Sequence, residues 1–334
     1  MGTKIMKVSL RNMRKVISVA VITMVLLAGG CEKKRADKTE SGKLSGTITL
    51  SGAWALYPMA VKWGEEFGKI HPDVKIDVAA GGAGKGMADC LSGVVDIGMV
   101  SREIYPVEEQ KGAWWVAVTK DAVVPTMNRN NPILQELLMK GLKRETFIGI
   151  WLTGEVKSWG QATGVGTAGQ IHIYTRSDAC GAAETWAKFL GGKQEDLEGI
   201  GVYGDPGLAE AVGRDELGIG FNNINYAYDS NSKQQVQGIR VLPIDFNGNG
   251  KIDTDENFYD NRDAIVGAIA SGKYPSPPAR DLYFVCGGAP KQEVVREFIK
   301  WVLSDGQKFV DESGYIRLSD EKIGEAMKKL EGSR

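Results

Sequence analysis

Residues 51–104 read SGAWALYPMAVKWGEEFGKIHPDVKIDVAAGGAGKGMADCLSGVVDIGMVSREI, and two periodicities alternate within them. With the preceding residues they begin as GTITLSG, a β-rich run ending in glycine. From Tyr57 the apolar residues Met59, Val61, Trp63, Phe67 and Ile70 recur near helical spacing, which predicts an amphipathic helix closing at His71-Pro72. VKIDVAA is then a strand running into the loop GGAGKG, GMADCLSG a helix, and VVDIGMVSRE a strand and loop. This alternation implies an α/β lobe with a largely parallel sheet. In such sheets ligands sit beyond the carboxyl ends of the strands, where these glycine-rich loops fall.

The same style continues outward. WWVAVTKDAVVPTMNRNNP reads as one or two further strands, and from about Asn131 to about Arg262 strands (IHIYTRSD, GIGFNNINYAY, GIRVLPID) alternate with helices (AAETWAKFL, PGLAEAVGR). RDLYFVCGG, 280–288, is another strand, and Val294, Val295, Phe298, Ile299, Val302 and Leu303 form a helical stripe whose reading is core packing. The expected organisation is a first lobe from 46–120 plus 281–334 and a second from 121–280. Crossing strands near Thr119 to Met127 and Asp281 to Cys286 would join them.

Composition sets bounds. A chain of 334 residues with 43% apolar side chains can supply a core for each lobe. With 41 basic against 42 acidic residues, the net charge of -1 gives no electrostatic footing for nucleic acid. The two histidines, His71 and His172, sit at a helix end and within a strand, so histidine-based metal or triad chemistry has no support and the chain reads as no enzyme. GGAGKG, 81–86, lacks the spacing and the Ser or Thr of a nucleotide-binding loop. Cys90, Cys180 and Cys286 match no zinc spacing and read as buried thiols, or one disulfide plus one free thiol.

The N-terminus is an address label. Lys4, Lys7, Arg11, Arg14 and Lys15 precede the apolar run VISVAVITMVLLAGG, 16–30, and Cys31 follows directly. Fifteen apolar residues, counted from 16 to 30, fall short of the ~20 that span a bilayer. The segment resembles a bacterial lipoprotein signal with LAGGC as its lipobox, which implies removal of 1–30, lipid on Cys31 and anchorage in the cell envelope. Residues 31–45, polar and charged, read as a flexible tether.

The ordered blocks of 51–104, together with TFIGIWLTGEVKSW, YTRSDACGAAETWAKFL and FIKWVLSDGQKFVDESGYIRL, resemble the phosphate-binding branch of the periplasmic solute-binding proteins of ABC transporters over roughly 46–320. The resemblance implies a two-lobed α/β fold of the type 2 periplasmic-binding-protein kind, with mixed sheets, flanking helices and a ligand cleft between the lobes. It also implies phosphate or a related oxyanion as solute and a membrane permease as partner. An oxyanion held without metal needs helix N-termini, hydroxyls and usually an arginine. The loops carrying these parts are Gly52-Ala53-Trp54-Ala55, Gly84-Lys85, Ser101-Arg102, and Arg176-Ser177 with Cys180-Gly181-Ala182. The family has Gly-Ser-Thr where this chain has Gly52-Ala53-Trp54, Ser-Gly-Thr where it has Cys180-Gly181-Ala182, and Gly-Ser-Gly at Gly82-Ala83-Gly84. Hydroxyl donors are thus replaced while backbone N–H groups and Arg176 are retained. The alternative is a structural or signalling lipoprotein that keeps the fold without transport.

One motif stands apart from this plan. DFNGNGKIDTDE, 245–256, has the full EF-hand spacing: Asp245, Asn247, Asn249 and Asp253 by side chain or water, Lys251 by its backbone carbonyl, Glu256 as a bidentate ligand, and Gly250 at the sixth position. A sensor needs a helix on each side of the loop, whereas GIRVLPI before it is β-rich and contains Pro243. The expectation is a calcium ion acting as a structural clamp in the second lobe.

Overall fold

The structure is a computed structural model that describes residues 43–164, 166 and 169–333. The chain divides into a segment Met1–Arg35 and a compact unit Ala36–Arg334. The expected signal peptide, Cys31 and most of the tether lie outside the described residues, and everything below concerns the compact unit.

Its strands are β1 (Gly46–Gly52), β2 (Val74–Ala80), β3 (Ile97–Val100), β4 (Ala113–Asn128), β5 (His172–Arg176), β6 (Ile200–Val202), β7 (Gly218–Asn223), β8 (Ile239–Val241) and β9 (Ala279–Gly287). They join in one sheet of order β2-β1-β3-β9-β4-β7-β5-β6, with β8 paired to β4. The flanking strands are parallel, β2 and β3 on β1 and β6 and β7 on β5. The long β4 and β9 run antiparallel to their neighbours, so the sheet is mixed rather than largely parallel. The alternation of strands and helices reported only the flanks; β4 and β9 pair over a long stretch of chain, Asp121 with Arg280 159 residues on, so no local pattern showed their direction.

Around the first half lie α1 (Tyr57–Ile70), α2 (Ala83–Leu91) and α3 (Pro106–Gln110). The middle holds α4 (Leu134–Lys140), α5 (Arg144–Trp151), α6 (Trp159–Thr163), α7 (Gly181–Leu190), α8 (Gly204–Arg214), α9 (Ile224–Ala227) and α10 (Arg262–Ala270). The chain ends in α11 (Glu293–Val302) and α12 (Asp320–Glu331). Of the α1 stripe, Met59, Trp63 and Phe67 are buried, whereas Ile70 is 55% exposed because the helix stops there at His71. The predicted stripe of α11 is buried throughout and packs with the α1 aromatics, Phe67 lying 5.2 Å from Phe298 centroid to centroid.

The apolar side chains gather into two separate cores. One combines residues 48–118 with 282–330; the other runs from 122 to 279 and takes in Ile316. The boundary falls inside both crossing strands, with Val118 and Leu282 in the first core and Ala122 and Ala279 in the second. Cys90, Cys180 and Cys286 are buried free thiols, the first of the two readings offered above.

Candidate functional site

The ends of β1, β3 and β5 carry the candidate loops, and they converge where the two cores face each other. Arg176 ends β5, and its side chain is fully buried. Its Nε donates to Asp178 Oδ1 at 2.8 Å, Nη2 to Asp178 Oδ2 at 2.6 Å and Nη1 to Asp205 Oδ2 at 2.5 Å. A guanidinium has about five N–H groups, so with three committed two remain for a ligand. Burial works to lower the Arg176 pKa, but Asp205 and then Asp178 outweigh it, and the group is held charged above its ordinary range.

Asp178 begins the turn into α7, capped by Cys180, whose Sγ accepts from Ala183 N at 3.4 Å. Sulfur is a weak acceptor, so this cap leaves the first-turn donors less committed than a hydroxyl cap would. The N–H groups of Gly181 and Ala182 open α7 without intrahelical partners by helix geometry, and both residues are buried. A Cβ placed on Gly181 would lie 2.1 Å from Ser101 O and 2.3 Å from Ser101 Oγ. Glycine is therefore what allows α7 to touch the first half of the chain. Gly84 N also donates to Ala179 O at 3.1 Å, so Gly82-Ala83-Gly84, Ser101 and the Arg176 loop form one direct interface.

Trp54 stands at the edge of this interface. Its carbonyl accepts from Tyr226 OH at 3.1 Å, and its indole meets Tyr57, Tyr203 and Tyr226 at 6.3, 6.3 and 6.4 Å. The indole lies against Gly204, whose φ of +74° and lack of Cβ leave room for the ring. Trp54 Nε1 is buried with no hydrogen-bond partner among the described residues, an N–H donor held at the lobe boundary. Ala53 and Ala55 are core residues, 1% exposed, so of this quartet Trp54 alone presents a polar side-chain atom.

Two sequence candidates are already engaged. Lys85 Nζ is held by Asp89 and by Ser51 Oγ at 3.1 Å. Arg102 forms a two-pronged pair with Glu108, at 2.9 and 2.7 Å, and lies over the Tyr105 ring. Ser177 donates its backbone N–H to Val202 O, which fixes β5 against β6 and leaves the serine on the rim. The structure thus gathers 52–55, 82–84, Ser101, Arg176 and 180–182, and turns Lys85 and Arg102 toward local carboxylates.

Behind the Arg176 loop runs a buried polar chain that sequence reading missed. Asp205, fully buried at the start of α8, accepts from Asn223 N at 3.1 Å. Asn223 Oδ1 accepts from Arg280 Nη2. Arg280 Nε donates to Asp121 Oδ1 at 3.0 Å, and its Nη1 donates to Gly181 O and, at 2.8 Å, to Thr185 Oγ1. Burial pushes Asp121 up to about 6 against the pull of Arg280.

The 245–256 loop lies in the second core's territory. Asp245 accepts from the N–H groups of Gly248, Asn249 and Gly250, and Glu256 from those of Phe246, Asn247 and Asp253. Both carboxylates are buried, 3% and 6% exposed, and neither has a cationic side-chain partner among the described residues. Asp253 is turned to Lys251 at 2.7 Å and to the amides of Asn247 and Asn249. Among the described residues no group of three His, Cys, Asp or Glu side chains is gathered as a metal cluster. An all-oxygen donor set with two buried, cation-free carboxylates fits a hard divalent cation. The eighth loop residue, Ile252, donates to Met139 O at 2.8 Å, and no helix directly adjoins either end, since α10 begins at Arg262.

A family model described as a PBP superfamily domain matches residues 37–306. The chain belongs to the PBP superfamily. Within it, the chain is similar to phosphate-binding protein PstS of Bacillus subtilis (strain 168), 25% identical over 299 residues that cover 89% of each chain. It is likewise similar to phosphate-binding protein PstS of Staphylococcus epidermidis (strain ATCC 12228), 22% identical over 308 residues, 90% of this chain and 88% of that one. Among solved structures, a putative phosphate ABC transporter substrate-binding protein from Clostridium perfringens with bound phosphate superposes with a TM-score of 0.66 at 22% identity, covering 82% of this chain and all of that one. The fold is that of this superfamily, two lobes on a mixed sheet with flanking helices.

For a PBP superfamily member, the residues missed are those that support the loops rather than line them. Asp121, Asp205, Asn223 and Arg280 carry no local motif. The available signal was the polar types themselves, an Asp and an Arg inside apolar strand runs at 121 and 280, which cannot be buried unless they find each other.

Proposed function

We propose that the chain is an extracytoplasmic solute-binding lipoprotein of an ABC transporter that takes phosphate or a related small oxyanion between its lobes. The observation that carries this reading is Arg176: a fully buried guanidinium that, although paired with the two carboxylates of Asp178 and Asp205, keeps two N–H donors beside the N-terminus of α7. Support comes also from relatives named as phosphate-binding proteins and aligned over nine tenths of the chain. Closure brings Ser101 and the glycine loop of the first lobe onto Gly181 and Ala179 of the second. The enclosed solute then exchanges water for fixed N–H dipoles, and the closed pair of lobes is the shape presented to a permease, whose ATPase supplies the energy of transport.

Cys31 would hold the chain to the membrane through lipid, with the tether giving reach; no helix among the described residues is long and apolar enough to cross a bilayer. The 245–256 loop would bind calcium as a clamp, with Asp245 and Glu256 as the buried anionic ligands and Asn247, Asn249, Asp253 and the Lys251 carbonyl completing the set. The lost hydroxyls at Ala53 and Ala182 favour the second reading, a non-transport lipoprotein with the same fold, in which the closed interface is the functional state. Isothermal calorimetry with phosphate, sulfate and molybdate separates the two. Heat with any of the three that is lost in Arg176→Ala supports solute binding, and no heat with all three sinks it.

A further inference from the structure

The two crossing strands meet the core boundary at one cross-strand pair, Asp121 on β4 opposite Arg280 on β9. Val118 and Leu282 on one side belong to the first core, Ala122 and Ala279 on the other to the second. The pair therefore occupies the point about which the lobes must turn. A register shift in β4 between Ala117 and Thr119 loosens the ladder just before it.

Arg280 does more than neutralise its neighbour. One guanidinium reaches Asp121, the carbonyl of Gly181 at the start of α7, the Thr185 hydroxyl one turn on, and the Asn223 side chain at the end of β7. It is 8% exposed, and each partner is buried. Through Asn223 N it connects to Asp205, and through Asp205 to Arg176. The hinge strand thus holds the same residue, Gly181, whose Cα face rests on Ser101 of the opposite lobe. Planar, multi-pronged contacts of this kind are what lysine, a single point of charge, does not reproduce.

We propose that Arg280 is the positioning residue of the hinge: it does not touch the solute, and it sets the angle at which α7 is presented to the first lobe, and hence the balance of open and closed states. This rests on cleft closure as the mode of binding, but its first readout needs no solute.

The test is a pair of spin labels on Lys75→Cys and Arg214→Cys, side chains 70% and 80% exposed on opposite lobes, in the full chain with Cys31→Ser; the three remaining cysteines are buried. Pulsed electron spin resonance then gives the lobe-to-lobe distance distribution without ligand. Asp121→Asn with Arg280→Met removes both charges together, so no unpaired ion is left in the hinge. Arg280→Lys, which keeps the charge beside Asp121 but not the reach to Gly181 and Asn223, serves as the second variant should the double one not fold. The expected result is a longer and broader distribution in either variant, with phosphate affinity about tenfold weaker. An unchanged distribution in a folded variant overturns the proposal, whatever phosphate does. A changed distribution in a protein whose parent gives no phosphate heat leaves the hinge role standing and removes only the assignment of solute.

Discussion

Arg176 and Asp178 lie two residues apart and form a side-on pair, Nε to Oδ1 at 2.8 Å and Nη2 to Oδ2 at 2.6 Å, with the arginine side chain fully buried. The pair orients the guanidinium so that its remaining N–H groups are fixed before any solute arrives. Removing the arginine leaves Asp178 and Asp205 buried without their cation, a loss of about 3 to 5 kcal/mol in stability. Arg176→Ala should therefore lower the urea midpoint clearly. Adding Asp178→Asn and Asp205→Asn to it should recover part of the loss, and a midpoint equal to that of the parent in the single variant would show the pair to be solvated.

Gly181→Ala should impair closure while sparing the lobes. Alanine is favoured over glycine in a helix by roughly 0.5–1 kcal/mol, so the helix itself does not suffer. The added methyl would meet Ser101 O at 2.1 Å, which the lobes can relieve only by separating. Small-angle scattering should show a larger radius of gyration than the parent under identical conditions, with the melting temperature little changed. Identical scattering curves would place the tolerance in α7 rather than in the interface.

Calcium removal should cost stability, because Asp245 and Glu256 are buried carboxylates without a cationic side-chain partner among the described residues. At an ion concentration about twentyfold above the Kd the stabilisation is about 1.8 kcal/mol, a shift of roughly 3 °C for a unit the size of Ala36–Arg334. A chelator should lower the melting temperature by that amount, and Glu256→Gln should abolish the difference. A chelator without effect contradicts an occupied loop.

The cysteines should be slow to alkylate in the native state. Burial pushes Cys90 up to about 11 and Cys180 up to about 12 from 9.0. At pH 8 a thiol of pKa about 12 is thiolate to about one part in 10⁴, against about one part in ten at pKa 9. Because the folded pKa values are raised, the folded state holds the proton longer; the stability this contributes is intact below pH 9 and lost as pH rises toward 11 and 12. Peptide mapping after iodoacetamide should find all three modified only with denaturant, and rapid native labelling of Cys180 would contradict its burial.

How much of this was legible follows from the distances involved. The first lobe's strands and helices announce themselves through local periodicity, as Met59, Trp63 and Phe67 do in α1. The Arg176 loop could be read because its strand, turn and helix are contiguous. β4 was harder: Pro125 breaks the pattern of a strand, yet its carbonyl still accepts from Leu242 N, so one strand of 16 residues runs through. The supporting chain was out of reach, since Arg176 meets Asp205 29 residues on, Arg280 meets Asn223 at 57 and Asp121 at 159. No window along the sequence contains such pairs, and only the fold brings them together.

An oxyanion held between the lobes at Arg176 should be visible in isothermal titration of the chain with phosphate. The expected result is saturable 1:1 heat in the parent, a much weaker response in Gly181→Ala, and none in an Arg176→Ala variant that still melts cooperatively. Equal phosphate binding by folded parent and Arg176→Ala, or no heat from the parent with phosphate, sulfate or molybdate, would contradict it.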